Sequence, residues 1–207
     1  MAPIVLPITR RYVVAKRAFD LIVSLLMLPV VAPVLLACAV AIWLDSPGPI
    51  TYAQERTGRH GHPFRMYKFR TMVRNADEMK EQLRHLSIVP PPDFKIPNDP
   101  RITRVGQFLR QTSLDELPQI LNVLRGEMSL VGPRPTSFLP ATYELWHTER
   151  LEVPPGITGL WQIKGRNAAT FDERLRYDIQ YIDQMSLWFD VWIMVQTVRS
   201  VFKRMGA

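Results

Sequence analysis

The most distinctive hydropathy pattern in the chain is an uninterrupted run of uncharged, mostly apolar residues at positions 21–44, bounded by Asp20 and Asp45. At about 1.5 Å per residue, a helix over this run would reach roughly 36 Å, enough to cross a hydrocarbon core of about 30 Å. A single membrane-spanning helix is therefore one interpretation. Pro29 and Pro33 favour another, because a proline inside a helix removes a backbone hydrogen bond and bends or breaks the helix.

Basic residues flank the apolar run on both sides. Those before it are Arg10, Arg11, Lys16 and Arg17, and those that follow it are Arg56, Arg59, Arg65, Lys68, Arg70 and Arg74. Because basic flanks tend to stay in the cytoplasm, both ends of the run are predicted on that side of the membrane. The pattern therefore favours a re-entrant helical hairpin, broken at Pro29 and Pro33, over a spanning helix.

A cleaved signal peptide is the third interpretation of this region. Residues 35–38 (LLAC) resemble a lipoprotein cleavage box. The apolar run, however, exceeds the usual length of about 7–15 residues and continues beyond Cys38. We therefore expect Cys38 to be an apolar filler within the membrane.

Beyond the apolar run, the patterns predict a mainly α fold with one small β hairpin. Two short runs at 50–56 and 63–70, joined by the loop TGRHGH, predict the hairpin. Apolar residues at helical spacing predict helices over 72–86, 102–109, 117–124 and 171–185, with Gly126 as the C-cap of the third. Residues 89–100 and 130–165 are rich in proline or glycine and are predicted to be loops. The aromatic and basic stretch from 188 to 204 predicts an interfacial amphipathic helix, with an ordinary core helix as the alternative.

Composition limits the kinds of binding partner, metal site and nucleotide-binding loop that the chain is expected to have. The 207 residues include 26 Lys plus Arg against 19 Asp plus Glu, a formal net charge of +7, which indicates polyanionic partners such as phosphates, acidic lipid or nucleic acid. A single cysteine excludes an internal disulfide and a cysteine-based zinc cluster. The four histidines lack metal-ligand spacing, and the sequence contains neither a P-loop nor a G-x-G-x-x-G motif. A zinc site and the two common nucleotide-binding loops are therefore not predicted.

The strongest candidates for chemistry are Asp115 and Glu116 in the segment TSLDELPQ. One interpretation is structural: Ser113 and Glu116 have the spacing of a helix capping box, and acidic residues suit a helix N-terminus. The other is catalytic, because an aspartate can attack phosphorus while a neighbouring carboxylate holds Mg²⁺. The two interpretations are compatible. Cations that could meet phosphate oxygens occur at Lys68, Arg70, Arg104, Arg110, Arg134 and Arg166.

The sequence resembles the bacterial sugar transferases, or monotopic phosphoglycosyl transferases, which load a sugar phosphate onto a polyprenyl-phosphate carrier. The resemblance covers nearly the whole chain. It is carried by KRAFDLIVSLLMLPVVAPVLL, YKFRTM, DPRITRVGQFLRQTSLDELPQILNVLRGEMSLVGPRP, PGITGLWQIKGRN, YDIQYI and SLWFDVWIM. The family hairpin often breaks at a Ser-Pro pair, whereas this chain has Ala32 and Pro33, so the break is expected to involve Pro29 as well.

The resemblance implies a two-step reaction on a nucleotide diphosphate sugar, with a UDP-sugar as the expected donor. Asp115 matches the family nucleophile and Glu116 matches its partner, which helps to hold Mg²⁺. The expected phosphate-binding residues are Lys68, Arg110, Arg134 and Arg166. Asp178 and Asp190 match acidic positions near the C-terminus, with either a substrate-binding or a structural role.

The resemblance also implies an organisation and a location. We expect a basic segment at 1–19, a re-entrant membrane helix at 20–45, and a catalytic domain at 46–207 that ends in an interfacial helix. The chain looks like the minimal catalytic form of the family. The expected partners are the nucleotide sugar, polyprenyl phosphate and membrane phospholipid, with a homo-oligomer left open. The expected location is the bacterial inner membrane, with the catalytic domain on its cytoplasmic face.

Two alternatives come from other functional classes. A peripheral membrane scaffold would use the basic face to bind anionic lipid without turnover. A nucleic-acid binder is favoured only by the basic charge and lacks a recognised reading motif, so no nucleic acid is expected among the partners.

Overall fold

The structure is a computed structural model that describes residues 9–88, 94, 96–136, 144–164 and 170–205. Most of the described residues are helical. The α-helices are α1 (Arg10–Asp45), α2 (Glu78–Gln82), α3 (Arg104–Thr112), α4 (Ile120–Arg125), α5 (Leu160–Lys164), α6 (Phe171–Asp183) and α7 (Leu187–Met205). The strands are β1 (Thr51–Thr57), β2 (Pro63–Phe69), β3 (Ser129–Val131) and β4 (Gly156–Thr158). Short 3₁₀ helices cover Arg59–Gly61, Arg84–Leu86, Leu114–Gln119 and Leu145–Leu151.

The apolar run forms one long helix. The side chain of Thr9 caps α1 by accepting a hydrogen bond from the Tyr12 N–H, and the helix then continues to Asp45 with Pro29 and Pro33 inside it. The predicted break into two helices at these prolines is therefore not found. Each proline removes one backbone donor, which a helix can accommodate by bending rather than by ending. Both prolines are exposed on α1.

Most of the apolar surface of α1 is uncovered. Its large exposed side chains include Leu26 at 74% and Val30 at 73%. Among the described helices, α1 is the one that is long and apolar enough to cross a membrane, judged by length and composition. A contiguous apolar face of this size is typical of a surface that contacts lipid or another protein. This observation supports membrane association and leaves the re-entrant path a prediction.

Three polar residues near the start of α1 attach the helix to the rest of the protein. Asp20 accepts hydrogen bonds from the Ser129 hydroxyl at 2.8 Å and from the Leu130 N–H at 3.3 Å. Arg17 donates to two carbonyls of the last turn of α4, including that of Leu124 at 2.8 Å. Lys16 lies 2.8 Å from Asp20 and 2.9 Å from the Asp190 carboxylate of α7. The first turns of α1 therefore belong to the folded body of the protein.

The predicted hairpin is confirmed. β1 and β2 pair antiparallel, with Thr51 opposite Phe69 and Thr57 opposite Pro63. The helix predicted over 117–124 is present as α4, and Gly126 ends it with φ of 84°, a left-handed conformation that glycine adopts at little cost. The helices predicted near 102–109 and 171–185 are confirmed as α3 and α6, and the stretch from 188 belongs to α7.

Two local predictions were wrong. The helix predicted over 72–86 is reduced to α2 and a 3₁₀ turn, and no residue of α2 is buried, so packing does not extend it. Residues 130–165 are not only loop, because β3 and β4 form a parallel pair with Ser129 opposite Gly156. This pair lies in the main core, with Val131, Val153 and Leu160 among its buried members.

Candidate functional site

Asp115 and Glu116 lie in a tight turn between α3 and α4. Ser113 ends α3 in the left-handed region at φ of 60°, and the chain then enters the 3₁₀ helix that carries the two acids. The side chain of Ser113 makes no capping hydrogen bond. The capping-box interpretation was therefore wrong, because the Glu116 carboxylate bonds to cations from other elements instead of to its own helix.

Glu116 is held by two cations from distant parts of the chain. Its Oε1 accepts hydrogen bonds from Lys68 Nζ at 2.8 Å and from Arg134 Nη2 at 2.7 Å. Burial raises the pKa of the Glu116 carboxyl, but the charges of Arg134 and Lys68 and the hydrogen bonds they donate outweigh burial and lower it to about 2. Glu116 is thus ionised throughout the physiological range and fixes the two cations beside its neighbour.

Asp115 lies beside the same cations as Glu116, but its surroundings on balance raise the pKa of its carboxyl. Within the part of the chain that the structure describes, no group donates a hydrogen bond to its carboxylate and no cation forms an ion pair with it. Burial raises the pKa of Asp115, as does the charge of Glu116, while the charges of Lys68, Arg110 and Arg134 lower it. An unpaired carboxylate beside three cations is a chemically available nucleophile.

Arg110 approaches the pair of acids from α3. Its Nε donates to the hydroxyl of Thr71 at 2.8 Å, and the rest of the side chain is exposed. α3 packs closely on this segment, because a Cβ on Gly106 would lie 2.1 Å from the Thr71 carbonyl oxygen. The predicted cations Lys68, Arg110 and Arg134 therefore meet around the two acids although they come from β2, α3 and the segment after β3.

Asn122 is a positioning residue that the sequence reasoning missed. It is fully buried, with 0% exposure. Its amide accepts from the Tyr67 N–H at 3.1 Å and donates to the Arg65 carbonyl at 2.7 Å, so it pairs with the edge of β2 as a strand would. This contact sets β2 against α4 and brings Lys68 to Glu116. The available signal was a polar residue within the apolar pattern of α4, since a buried amide needs partners.

Arg134 follows β3 in the segment VGPRP. Its guanidinium also lies 5.8 Å from the ring centroid of Trp161 in α5, a cation–π distance. Its backbone carbonyl accepts a hydrogen bond from Arg150, which pairs with Asp178, and neither of these two residues contacts the two acids. No motif in the sequence pointed to Arg150, whereas Trp161 lies within the stretch PGITGLWQIKGRN that carries the family resemblance.

The remaining predicted site residues are not part of this cluster. Asp178 pairs with Arg150 at 2.8 Å. Asp190 is fully buried, bonds to the Tyr181 hydroxyl at 2.8 Å and pairs with Lys16. These contacts favour the structural alternative for both acids. Arg166 lies outside the described residues.

Mg²⁺ binds oxygen ligands, which Asp115 and Glu116 could supply in this site. No group of three or more His, Cys, Asp or Glu side chains able to hold a metal occurs among the described residues. Magnesium is, however, commonly held by one or two carboxylates together with substrate phosphates. The Asp115 carboxylate, which has no partner among the described residues, and the Oε2 atom of Glu116, which lies 3.5 Å from Arg134 Nη1, fit that mode. A protein-only metal cage does not fit.

The fold and site together define a class: a protein with a long exposed apolar helix and a carboxylate surrounded by cations, suited to transferring a phosphate-bearing group at a membrane. The comparisons give the family. The family model described as "Bacterial sugar transferase" matches residues 11–204, so the chain belongs to the bacterial sugar transferases.

Curated relatives share this region. The chain is 44% identical over 199 residues to an undecaprenyl-phosphate galactose phosphotransferase of Salmonella typhimurium, covering 93% of this chain and 41% of the relative. It is 41% identical over 206 residues to a UDP-glucose:undecaprenyl-phosphate glucose-1-phosphate transferase of Escherichia coli, again covering 93% of this chain and 41% of the relative. It is 38% identical over 204 residues to the exopolysaccharide production protein ExoY of Rhizobium meliloti, covering 93% of this chain and 88% of ExoY. The chain thus spans about two fifths of the first two relatives and most of the third.

Proposed function

We propose that this protein transfers a sugar 1-phosphate from a UDP-sugar to a polyprenyl phosphate, giving a polyprenyl diphosphate sugar and UMP. The observation that carries the proposal is the Asp115 carboxylate, which lies beside Lys68, Arg110 and Arg134 and has no partner among the described residues. Family membership supports it, as do relatives named for transfer to undecaprenyl phosphate. Such a product begins the assembly of a surface glycan or exopolysaccharide.

The reaction has two displacements at one phosphorus. An Asp115 oxygen attacks the sugar-linked phosphorus of the donor, and the bond from that phosphorus to the bridging oxygen breaks, so UMP leaves with the electron pair. The phosphosugar is then an acyl phosphate on Asp115. An oxygen of polyprenyl phosphate attacks the same phosphorus, and the Asp115 carboxylate is released unchanged. A soluble donor and a lipid acceptor thereby use one site in turn.

The cations stabilise the negative charge that develops on the phosphate oxygens during this reaction. Lys68 and Arg134 hold Glu116 at 2.8 and 2.7 Å and face the space beside Asp115. Among the described residues, Arg110 makes its hydrogen bond through Nε, so its two Nη atoms are available to a phosphate oxygen. Fixed positive charges that meet the developing negative charge lower the barrier without reorganising during the reaction.

Mg²⁺ is proposed as the cofactor, with Glu116 Oε2 and Asp115 as the protein oxygens that would hold it. When bound, it would neutralise charge on the donor diphosphate. We expect EDTA to abolish transfer and added MgCl₂ to restore it. Full activity in excess chelator would remove the metal from this proposal.

The membrane supplies the acceptor. The exposed apolar face of α1 would lie in the lipid, with the catalytic region on the cytoplasmic side of the inner membrane. Cysteines introduced before Arg10 and near Arg74, tested with a membrane-impermeant thiol reagent, would both label from the cytoplasm if α1 is re-entrant. Labelling from opposite sides would establish a spanning helix.

The activity is tested with purified protein in detergent, undecaprenyl phosphate, and UDP-glucose, UDP-galactose or UDP-N-acetylgalactosamine. The expected result is release of UMP together with a lipid-linked sugar from at least one donor. Asp115→Asn should abolish both, while the exposed Asp77→Asn should leave both unchanged. Binding to anionic vesicles without turnover of any donor would favour the scaffold hypothesis instead.

A further inference from the structure

The Arg134 backbone is clamped by a buried ion pair on a different part of the chain. Arg150 Nη2 donates to the Asp178 carboxylate at 2.8 Å and also to the carbonyl oxygen of Arg134. Burial raises the pKa of the Asp178 carboxyl while Arg150 and the Arg134 backbone lower it, which places Arg134 close to Asp178. The pair is therefore bonded, through Arg150, to the backbone carbonyl of the residue whose guanidinium binds Glu116.

The same face of α6 holds the chain at a second point nearby. The hydroxyl of Tyr181, three residues after Asp178, lies 3.0 Å from the carbonyl oxygen of Val131 and shares its proton between that carbonyl and Asp190 at 2.8 Å. Residues three apart on a helix lie on one face. β3 and the segment after it are thus fixed at Val131 and at Arg134 by one helix.

Strand pairing fixes the segment from the other side. Gly132 donates to the Thr158 carbonyl at 2.9 Å, and Gly156 donates to the Pro133 carbonyl at 2.9 Å. Each residue from 131 to 134 thus has a backbone hydrogen bond to another part of the fold. The only long side chain that leaves this rigid segment toward the acids is Arg134, among the residues that the structure describes.

Stability alone is a weak reason for such a pair. Asp178 is 4% exposed and Arg150 is 5% exposed, so both charges are largely desolvated. The attraction within a buried ion pair is offset by desolvation, and apolar replacements are often equally stable. A fixed backbone position is what this pair provides and what an apolar pair could not.

We propose that Asp178 and Arg150 are positioning residues that hold Arg134 where its guanidinium meets Glu116 and the donor phosphates. The inference rests on the proposed function, because it assigns these residues a role through Arg134. Residues that orient a site residue in this way typically change activity by about 10–100-fold when altered.

The test is a double-mutant cycle on the full-length protein in detergent, with kcat, KM for the UDP-sugar and melting temperature measured for each variant. Asp178→Asn should lower kcat by about 10–100-fold. In the Arg134→Ala background, the same change should alter kcat by less than about twofold, because there is no guanidinium left to misplace. Asp99→Asn is the matched control, since Asp99 and Arg101 form an equally buried pair at 2.7 Å that does not bond to Arg134. The charge of Asp99 acts on Arg110 instead, so any effect of Asp99→Asn on kcat should be the same in the parent and in the Arg134→Ala background.

Each outcome decides the inference. Multiplicative losses in the Asp178→Asn, Arg134→Ala double variant would overturn it, and so would an Asp99→Asn effect that is equally coupled to Arg134. If Asp178→Asn does not fold, Arg150→Lys replaces it, because lysine keeps the charge but not the shared Nη2, and the same coupling is expected. If Arg134→Ala turns over like the parent, the role of Arg134 in the proposed function fails first, which distinguishes the two failures.

Discussion

At the residue scale, the site depends on two neighbouring acids in different states. Glu116 is paired and ionised, whereas Asp115 has no partner among the described residues. The sequence predicted the two acids and the cations Lys68, Arg110 and Arg134, because the motif was specific. It did not predict which acid the cations would hold, since that depends on a left-handed turn at Ser113 and on strands far away in the chain.

Lys68→Met tests the cation on β2. We expect kcat to fall by about 100-fold, because one fixed positive charge beside the reacting phosphate is lost. Arg65→Met is the control, since Arg65 is an exposed residue of the same strand, and alternation along the strand puts it on the opposite face. Equal losses in the two variants would mean that general surface charge, not the site, matters.

Asp178 predicts a pH dependence of stability. Burial raises the pKa of its carboxyl from 3.8 to about 6, although Arg150 opposes this. The folded state therefore binds the Asp178 proton more tightly than the unfolded chain does, so ionisation of this group weakens the fold as pH rises from about 4 to about 6. We expect Asp178→Asn to lose less stability, relative to the parent, at pH 7 than at pH 4, measured by denaturant unfolding. A larger deficit at pH 7 would show that the ionised pair is net stabilising.

Among the helices and strands, most of those marked by short-range sequence patterns were predicted correctly. The β1–β2 hairpin, α4 with Gly126, and α6 follow from alternation, helical spacing and capping residues. The β3–β4 pair was missed because each strand has three residues and the pairing joins segments far apart in sequence. The two prolines in α1 did not predict the end of a helix, since the long apolar helix continues through both.

Gly156→Ala tests the missed strand pair. A Cβ at this position would lie 2.1 Å from the Gly132 backbone nitrogen, so the strands would have to separate. We expect a loss of about 1–3 kcal/mol in unfolding free energy, as for overpacked cores. Activity in the folded fraction should also fall, because Arg134 follows directly from β3. An unchanged melting temperature would show that the strands approach less closely than described.

At the scale of the whole molecule, the membrane helix and the catalytic region form one body. Lys16, Arg17 and Asp20 join α1 to α7, α4 and β3. Many of the large apolar side chains of the helix are exposed, whereas Cys38 and Ile42 pack against Phe69 and Leu109. The sequence predicted the apolar helix but not this attachment, because its partners lie more than a hundred residues away. With α1 in the lipid as proposed, this attachment would fix the height of the two acids relative to the membrane surface.

Lys16→Met removes the cation shared by Asp20 and Asp190. Both acids would remain buried without a counter-charge, which typically costs about 3–5 kcal/mol. We expect a lower melting temperature in detergent and a lower yield of folded protein. Arg11→Met, an exposed basic residue on the same helix, is the control and should match the parent. Equal stability of both variants would contradict the attachment of α1 by this ion pair.

The central claim is that the Asp115 carboxylate carries the phosphosugar between the two substrates. The most direct measurement is the intact mass of the protein after incubation with the UDP-sugar that it turns over, before and after addition of undecaprenyl phosphate. We expect a mass increase of one sugar phosphate, located on the peptide that contains Asp115. The added mass should disappear when the lipid is added and should never form in Asp115→Asn. Normal turnover by Asp115→Asn, or an adduct of the same mass on that variant, would contradict it.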